Sequence, residues 1–288
     1  MTATPTAGPE ARVITPSRGG PVRTTDVGQA PTGRGEVLRR AVRAELVKVV
    51  SVRSTAASLG TAALLILALG VVTTIGAVTD GALPAEDGAA AVGPLDAPFG
   101  GITTGLWAVA VLGVLAVTSE YSRGSIRTTL AAVPRRGTLV LAKAVAVAVT
   151  TLAVVVPTTA LTYLAGILVL GAAGEPASLP PADAVRVVLG ASLYLTVVAL
   201  VGSGFAWLLR STAGAVTAVF GLLVLLPVLA TLLPVEVLAA IAPYLPDAGG
   251  AVYQAEPVIA PWGGLAVFAG YAVVLLAAGA AVLRRRDA

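Results

Sequence analysis

Long apolar runs limit most strongly what this chain can fold into. Several runs hold about 20 residues with almost no charge, which is enough for a helix to cross a hydrocarbon layer of roughly 30 Å. The chain of 288 residues is 57% hydrophobic and 12% charged, and its mean hydropathy is +0.91. Soluble domains carry about 25% charged residues. The sequence therefore predicts an all-α integral membrane protein.

The apolar runs divide the chain into a six-span domain and its flanks. The domain covers 56–283, and its predicted spans are about 56–78, 102–118, 139–170, 185–209, 213–233 and 262–283. Residues 1–33 are rich in Pro, Gly, Thr and Ala without an apolar period, which predicts a disordered tail. A short basic tail, 284–288, follows the last span. The Pro-rich segment 235–259 holds apolar pieces too short to cross, so it is either re-entrant or a plain external loop.

An amphipathic helix is predicted over 34–55, ahead of the first span. Its apolar face carries Leu38, Val42, Leu46 and Val49. The charged side chains that we assign to the membrane interface are Arg39, Arg40, Arg43, Glu45 and Lys48. Arg and Lys on such a helix can lie at anionic lipid headgroups. The alternative is a solvated helix that simply precedes the span.

The basic residues predict the topology. With six spans and a cytoplasmic amino terminus, all of the 19 Lys and Arg residues except Arg186 fall on the cytoplasmic side. An excess of Lys and Arg marks cytoplasmic loops. We therefore expect a multi-pass protein of the cell (plasma) membrane with both termini in the cytoplasm.

Missing residue types narrow the possible chemistry. The chain has no Cys and no His, so a metal site and imidazole catalysis are not expected. Its lysines, Lys48 and Lys143, are followed by Val49 and Ala144, so no Gly-x-x-x-x-Gly-Lys-Ser/Thr phosphate loop exists. The chain itself is therefore expected to be no enzyme and to bind no cofactor, and no nucleic-acid partner is expected.

The interiors of the predicted spans hold few ionisable or special residues. Lys143 and Arg186 lie near span ends, where long side chains can snorkel to the interface, and this counts against a proton-coupled transporter. Pro157 predicts a kink in the third span. Trp107, Trp207 and Trp262 lie near predicted span ends and are interpreted as interface anchors.

A polar and basic stretch separates the second and third spans. If residues from Ser119 to Val133 are helical, Glu120, Arg123 and Arg127 share one face. The other face carries Ile126, Leu130 and Val133, and Pro134 ends the helix. This pattern predicts a helix with one face for the bundle and one for a partner. A basic loop that only fixes the topology is the alternative.

The order of residues in this stretch resembles a known pattern. Its elements are Glu120, Gly124, Ser125, Leu130, Pro134 and Arg136. They resemble the loop between spans two and three of type-two ATP-binding cassette (ABC) exporter permeases, and the wider run from Val111 is similar to actinobacterial members. The run from Arg43 to Thr55 resembles their leading elbow helix.

The resemblance implies a role and a set of partners. It implies that 34–55 is an interfacial elbow and that the loop after span two is a coupling helix resting on a separate ABC ATPase subunit. The implied ATPase-coupling residues are Glu120, Arg123, Gly124, Arg127, Leu130, Pro134 and Arg136. ATP and Mg would be bound by that ATPase, and a second permease copy and membrane lipid would be the other partners. The expected function is export of a small amphipathic, lipid-like or drug-like substrate; the alternatives are a secondary transporter and a non-transporting scaffold or sensor.

Overall fold

The fold is known from a computed structural model that describes residues 34–79, 95–126, 136–174, 179–254 and 260–285. Within these ranges the secondary structure is helical, with no strand. Six helices are long and apolar enough to cross a membrane: Arg53–Thr79, Ala97–Ser122, Arg136–Ala172, Pro181–Leu209, Thr212–Ala230 and Pro261–Arg285. This confirms the all-helical class, and each predicted span coincides with one of these six helices. The predicted tail 1–33 lies outside the described residues.

The helices are numbered here in chain order. They are α1 (Arg34–Ser51), α2 (Arg53–Thr79), α3 (Ile102–Ser122), α4 (Arg136–Ala172), α5 (Pro181–Leu209), α6 (Thr212–Phe220), α7 (Leu226–Ala230), α8 (Val235–Ile241) and α9 (Pro261–Arg285). A π-helical turn, Gly221–Leu225, joins α6 to α7, so that both belong to the fifth span. The predicted amphipathic helix 34–55 is divided at Val52, and residues 53–55 belong to α2.

Helix α5 lies at the centre of the bundle, packed against α3, α4 and α9. Its approach to α3 depends on two glycines: a Cβ on Gly113 would lie 1.9 Å from the Ala199 carbonyl oxygen, and one on Gly202 would lie 2.6 Å from that of Ala110. Small residues permit such close contact between spanning helices. The backbones of α3 and α5 therefore touch directly.

Trp207, near the end of α5, is a core residue. Its side chain is 1% exposed and packs on α9 where Gly279 leaves room. The interpretation of Trp207 as an interface anchor is therefore wrong. The position of Trp207 near a span end carries no information about packing between helices, and α9 covers this face of α5. Trp262, by contrast, is 51% exposed.

Two prolines inside spans are accommodated differently. Helix α4 continues through Pro157, which has no N–H to donate to the carbonyl of residue 153. The neighbouring Thr158 hydroxyl donates to the Val154 carbonyl at 2.8 Å. In the fifth span the π-helical turn precedes Pro227, and the Leu226 N–H donates five residues back to Gly221. A π turn is a common way to absorb such an interruption.

The segment between the fifth and sixth spans is folded rather than extended. It contains α8 and the 3-10 turns Ala242–Tyr244 and Pro246–Tyr253. The second turn is largely buried and packs against α5 and α9. Arg186 of α5 fastens it by donating to the Val252 and Gln254 carbonyls at 3.1 and 2.8 Å. Residues 255–259 of the predicted re-entrant region lie outside the described residues.

Aromatic rings gather where this segment meets the bundle. Tyr253 packs against Phe99 and Tyr194, with ring centroids 6.3 and 5.5 Å apart. Phe99 also stacks on Tyr163 at 6.1 Å, and Tyr194 packs on Phe268 at 5.4 Å. Burial, followed by the fields of Asp96 and Asp247, raises the pKa of Tyr253 to about 12. This aromatic cluster closes one end of the bundle.

Candidate functional site

Four charged side chains meet at the opposite end of the bundle from Arg186 and the aromatic cluster. Glu45 and Lys48 lie one turn apart on α1, Glu120 lies in the last turn of α3, and Lys143 lies two turns into α4. We call these four residues the charged cluster. They come together because α1 packs mainly along α4. The cluster therefore joins three helices.

The charges alternate around the cluster. Lys143 Nζ lies 2.5 Å from Glu45 Oε2 and 2.9 Å from Glu120 Oε1. Lys48 Nζ lies 2.7 Å from Glu45 Oε1 and 3.2 Å from Glu120 Oε1. Each lysine thus bonds both carboxylates, and the four formal charges cancel. Charge-assisted hydrogen bonds of this kind are stronger than neutral ones.

Most of the cluster is removed from solvent. Glu45, Glu120 and Lys143 are 2%, 8% and 1% exposed, whereas the Lys48 side chain is 43% exposed. Desolvation of buried ions can offset their mutual attraction, so such a cluster is weak evidence for net stabilisation. Removing one member is different, because it leaves an unmatched buried charge. The cluster therefore favours arrangements of α1, α3 and α4 in which the four charges stay paired.

The two members on α1 have shifted pKa values. Burial alone would raise the pKa of Glu45, but the nearby Lys143 and Lys48 ammonium groups outweigh it and hold the pKa below its ordinary value. Burial would likewise lower the pKa of Lys48, but hydrogen bonds and charge from Glu45 and Glu120 raise it above its ordinary value. Both groups are therefore held in their charged forms.

One acceptor of the cluster is unused. Glu120 Oε1 faces both lysines, but its Oε2 is shielded from solvent and accepts no hydrogen bond from a described residue. Glu120 also lines an open cleft of about 390 Å³ between the start of α2 and the end of α3. A polar group without a partner beside an open space marks this part of the structure as a candidate binding site.

Two further arginines lie at the same end of the bundle. Arg136, the first residue of α4, donates from Nη1 to the Leu283 and Arg284 carbonyls at 2.5 and 3.2 Å, which caps the end of α9. Arg210 ends α5 with φ 54° and lies over the Tyr121 ring, 5.3 Å from its centre. Arg136 thus links the start of α4 to the end of α9, and Arg210 links the end of α5 to the end of α3.

The structure describes only some of the predicted coupling residues, and these lie in different surroundings. The helix predicted from Ser119 to Val133 is interrupted near its start, because α3 ends at Ser122 and Gly124 has φ 68°, a left-handed conformation that favours glycine. Glu120 therefore belongs to α3 and points into the charged cluster, while Arg123 is exposed. The sequence pattern predicts that Glu120 and Arg123 share one face of a continuous helix, but α3 ends between them at Ser122. Arg127, Leu130 and Pro134 lie outside the described residues.

The residues assigned to the leading helix fall into two groups. Arg39, Arg40 and Arg43 are exposed, and Glu36 pairs with Arg40 at 2.8 Å. Glu45 and Lys48 instead face the bundle as members of the charged cluster. The exposed side of α1 is basic near its amino end and apolar near its carboxyl end, where Val47 and Val50 are 68% and 66% exposed.

Lys143 is a residue of the charged cluster whose position the sequence interpretation misjudged. It does not snorkel to an interface but is buried between two carboxylates. The available signal was an isolated lysine about one turn inside an apolar run that begins at Leu139, which needs a buried counter-charge if it faces other helices. Among the described residues no three His, Cys, Asp or Glu side chains group so as to hold a metal ion.

Neither a scan against protein-family models nor a search of curated proteins gives a match to this chain.

Proposed function

We propose that this chain is the membrane-spanning permease subunit of an ABC exporter that works with a separate ATPase subunit. The observation that carries the proposal is the double attachment of Lys143. This residue bonds Glu45, in the run that resembles an elbow helix, and Glu120, the first residue of the stretch that resembles a coupling loop. Both resembling stretches thus meet at one side chain.

This attachment suits a chain that receives force from a partner. The stretch after Glu120 leaves α3 and enters α4, so a displacement of it acts on the ends of both helices. The charged cluster adds α1, and Arg136 adds the end of α9 through the Leu283 carbonyl. In the proposed permease these helix ends move together when two ATPase subunits close. ATP and Mg belong to the ATPase.

The leading helix fits a place at the membrane interface. Its exposed side carries Arg39, Arg40 and Arg43 near the amino end and Val47 and Val50 near the carboxyl end. Basic side chains at anionic headgroups with apolar ones in the acyl region are typical of interfacial helices. By the same rule on basic residues, we place this end of the bundle, with both termini, on the cytoplasmic side of the cell membrane.

The other end of the bundle fits an outer closure. The turn Pro246–Tyr253 is buried between α5 and α9 and is held by Arg186 and the aromatic cluster. We assign 235–259 to a re-entrant element of the outward side. The substrate class that we propose is small and amphipathic, lipid-like or drug-like, and the path lies between two copies of the permease.

The test is recovery of an ATPase with the tagged chain from its native membranes in mild detergent. The wild-type chain should bring down an ABC ATPase, and Arg123→Glu should reduce its recovery about tenfold, since a like charge replaces an attractive one at the surface that meets the partner. Arg39→Glu makes the same charge change on α1 and should leave recovery unchanged. Equal recovery with Arg123→Glu and the wild type contradicts the assignment of this stretch to ATPase coupling.

A second measurement separates the permease from the alternatives. The purified complex, reconstituted in vesicles, should move substrate when ATP is supplied and should not when only a proton or sodium gradient is imposed. Transport driven by the gradient alone would instead identify a secondary transporter. Failure to recover any ATPase, together with an absence of transport, would favour a scaffold or sensor.

A further inference from the structure

Three side chains where α5 meets the end of α3 lack hydrogen-bond acceptors. The Tyr121 ring stands edge-on to the Trp207 ring at 6.1 Å and has the Arg210 guanidinium 5.3 Å from its centre. Trp207 Nε1, the Tyr121 hydroxyl, and Nε and Nη2 of Arg210 are shielded from solvent, and none has a hydrogen-bond partner among the described residues. All four groups can donate, and buried donors are normally paired. An acceptor is therefore missing here.

The charge of Arg210 is also unmatched. The carboxylates that the structure describes at this end of the bundle are Glu36, Glu45 and Glu120, and each is already paired with lysine or arginine. Arg210 forms no ion pair with any described residue. The face of the Tyr121 ring attracts the guanidinium, but it supplies neither a counter-charge nor hydrogen-bond acceptors. An anion is the group that would satisfy both needs.

The Arg210 side chain is free to turn toward such an anion. Its backbone has φ 54°, a conformation uncommon for arginine, and its N–H donates to the Ala206 carbonyl at 3.0 Å. The side chain forms no hydrogen bond with a described residue and is held only by contact with the ring. Because Arg210 is half-buried at the end of a span, its guanidinium can leave the ring for a group outside the bundle while the backbone stays in place.

We propose that Arg210 binds a carboxylate of a cytoplasmic partner protein. This partner is the ATPase subunit, so its identity rests on the proposed function. Arginine pairs with a carboxylate through two parallel N–H···O bonds, which supply the missing acceptors and the missing charge together. Residues 127–135, which continue the predicted coupling stretch, hold Arg127 and Arg135 but no Asp or Glu. The loop between the fourth and fifth spans thus makes its own contact with the partner.

A photo-crosslinker beside Arg210 identifies what this loop meets. The group p-benzoylphenylalanine replaces Ala213, which is exposed, and the full chain is irradiated in membranes that contain its native ATPase. We expect crosslinked ATPase peptides that contain Asp or Glu. The same group at Leu232, which is 77% exposed at the other end of the fifth span, should give no ATPase crosslink. Peptides without an acidic residue, no ATPase crosslink from position 213, or equal crosslinking from both positions overturns the proposal.

Arg210→Met should have opposite effects on binding and on stability. Recovery of the ATPase should fall about tenfold, because a charge-assisted pair is lost. The purified permease alone should resist denaturing detergent better, because an unmatched and partly buried charge is removed. Arg285→Met makes the same change at an exposed arginine of the same end and should alter neither measurement. Unchanged ATPase recovery with Arg210→Met, or a lower stability of the isolated variant, overturns the proposal.

The outcomes separate this contact from the proposed function. If the wild type recovers the ATPase and Arg123→Glu reduces that recovery while Arg210→Met does not, the contact is wrong and the permease assignment stands. If the wild type neither recovers nor crosslinks to an ATPase, both are wrong. Asp287, just beyond the described end of α9, tests for a carboxylate of the chain itself. Asp287→Asn should leave ATPase recovery unchanged, and a loss equal to that of Arg210→Met overturns the partner as the source of the carboxylate.

Discussion

Lys143 and Glu45 lie 98 positions apart in the sequence and form a buried ion pair 2.5 Å long. The pair explains why α1 packs chiefly along α4, although α2 follows it directly in the chain. A helix that only preceded the first span would have no reason to carry a buried carboxylate. The leading helix is therefore part of the bundle on one side and exposed on the other.

Loss of Lys143 should be severe. Lys143→Met keeps the approximate size of the side chain but leaves two buried carboxylates, Glu45 and Glu120, with only the partly exposed Lys48 as their cation, so we expect a loss of about 3–5 kcal/mol in the free energy of unfolding. Titration of the purified chain with denaturing detergent measures this change. Arg43→Met is the control, because Arg43 is exposed and its loss should cost under about 0.5 kcal/mol.

The double variant Glu45→Gln with Lys143→Met tests whether the two residues act on each other. Its destabilisation should be smaller than the summed effects of the single variants, because the second change removes a charge that the first left unmatched. Strict additivity would show that the cluster does not couple α1 to α4.

Stability should depend on pH at both extremes. The folded-state pKa of Glu45 lies below 4.5, so its contribution is present above that pH and is lost as pH falls through the lowered value. The folded-state pKa of Lys48 lies above 10.5, so its contribution is present below that pH and is lost as pH rises through the raised value. Melting temperatures measured against pH should be level between these limits, and Glu45→Gln should weaken the acid decline. An unchanged acid decline in Glu45→Gln would argue against this role.

Glycine substitutions should separate close packing from helix propensity. Gly113→Ala places a methyl group 1.9 Å from the Ala199 carbonyl oxygen, so α3 and α5 must move apart, at a cost of about 1–3 kcal/mol. Gly60→Ala on α2 meets no atom within 4 Å and should be neutral or slightly stabilising. The yield of folded, monodisperse protein after detergent extraction checks both. Similar yields for the two variants would mean that the α3–α5 contact is not close.

Arg186 should control the mobility of the turn Pro246–Tyr253. Arg186→Met removes the donors to the Val252 and Gln254 carbonyls, so we expect amide hydrogen exchange in 246–254 to become faster by about tenfold. Exchange in α1 should not change, because the charged cluster lies at the other end of the bundle. Unaltered exchange in 246–254 would show that burial alone holds the segment.

The spans could be predicted from the sequence because the hydropathy of a spanning helix is a property of one continuous stretch of residues. All six predicted spans are helices, and the boundaries differ mainly because helices continue beyond the apolar run, as α4 does by beginning at Arg136. The charged cluster could not be predicted in this way. Glu45, Glu120 and Lys143 belong to three helices, and only the packing of those helices shows that they meet.

Errors in the sequence interpretation have similar physical causes. Trp207 lies near a span end, but the helix that covers it is α9, about 70 residues later in the chain. The helix predicted from Ser119 to Val133 runs through Gly124, but the left-handed φ of 68° at this glycine turns the chain away from α3. The prediction for Arg127, Leu130 and Pro134 stays a prediction, because these residues lie outside the described ranges.

The partnership between α1 and α4 also sets an order for biosynthesis. Glu45 leaves the ribosome 98 residues before Lys143. Glu120 also leaves the ribosome before Lys143 does. Until the third span has entered the membrane, the carboxylate of Glu45 has Lys48 as its nearby cation, and the docking surface for α1 on α4 does not exist. The leading helix must therefore stay undocked until α4 is present, and its final seating reports that α2, α3 and α4 have come together in the correct arrangement.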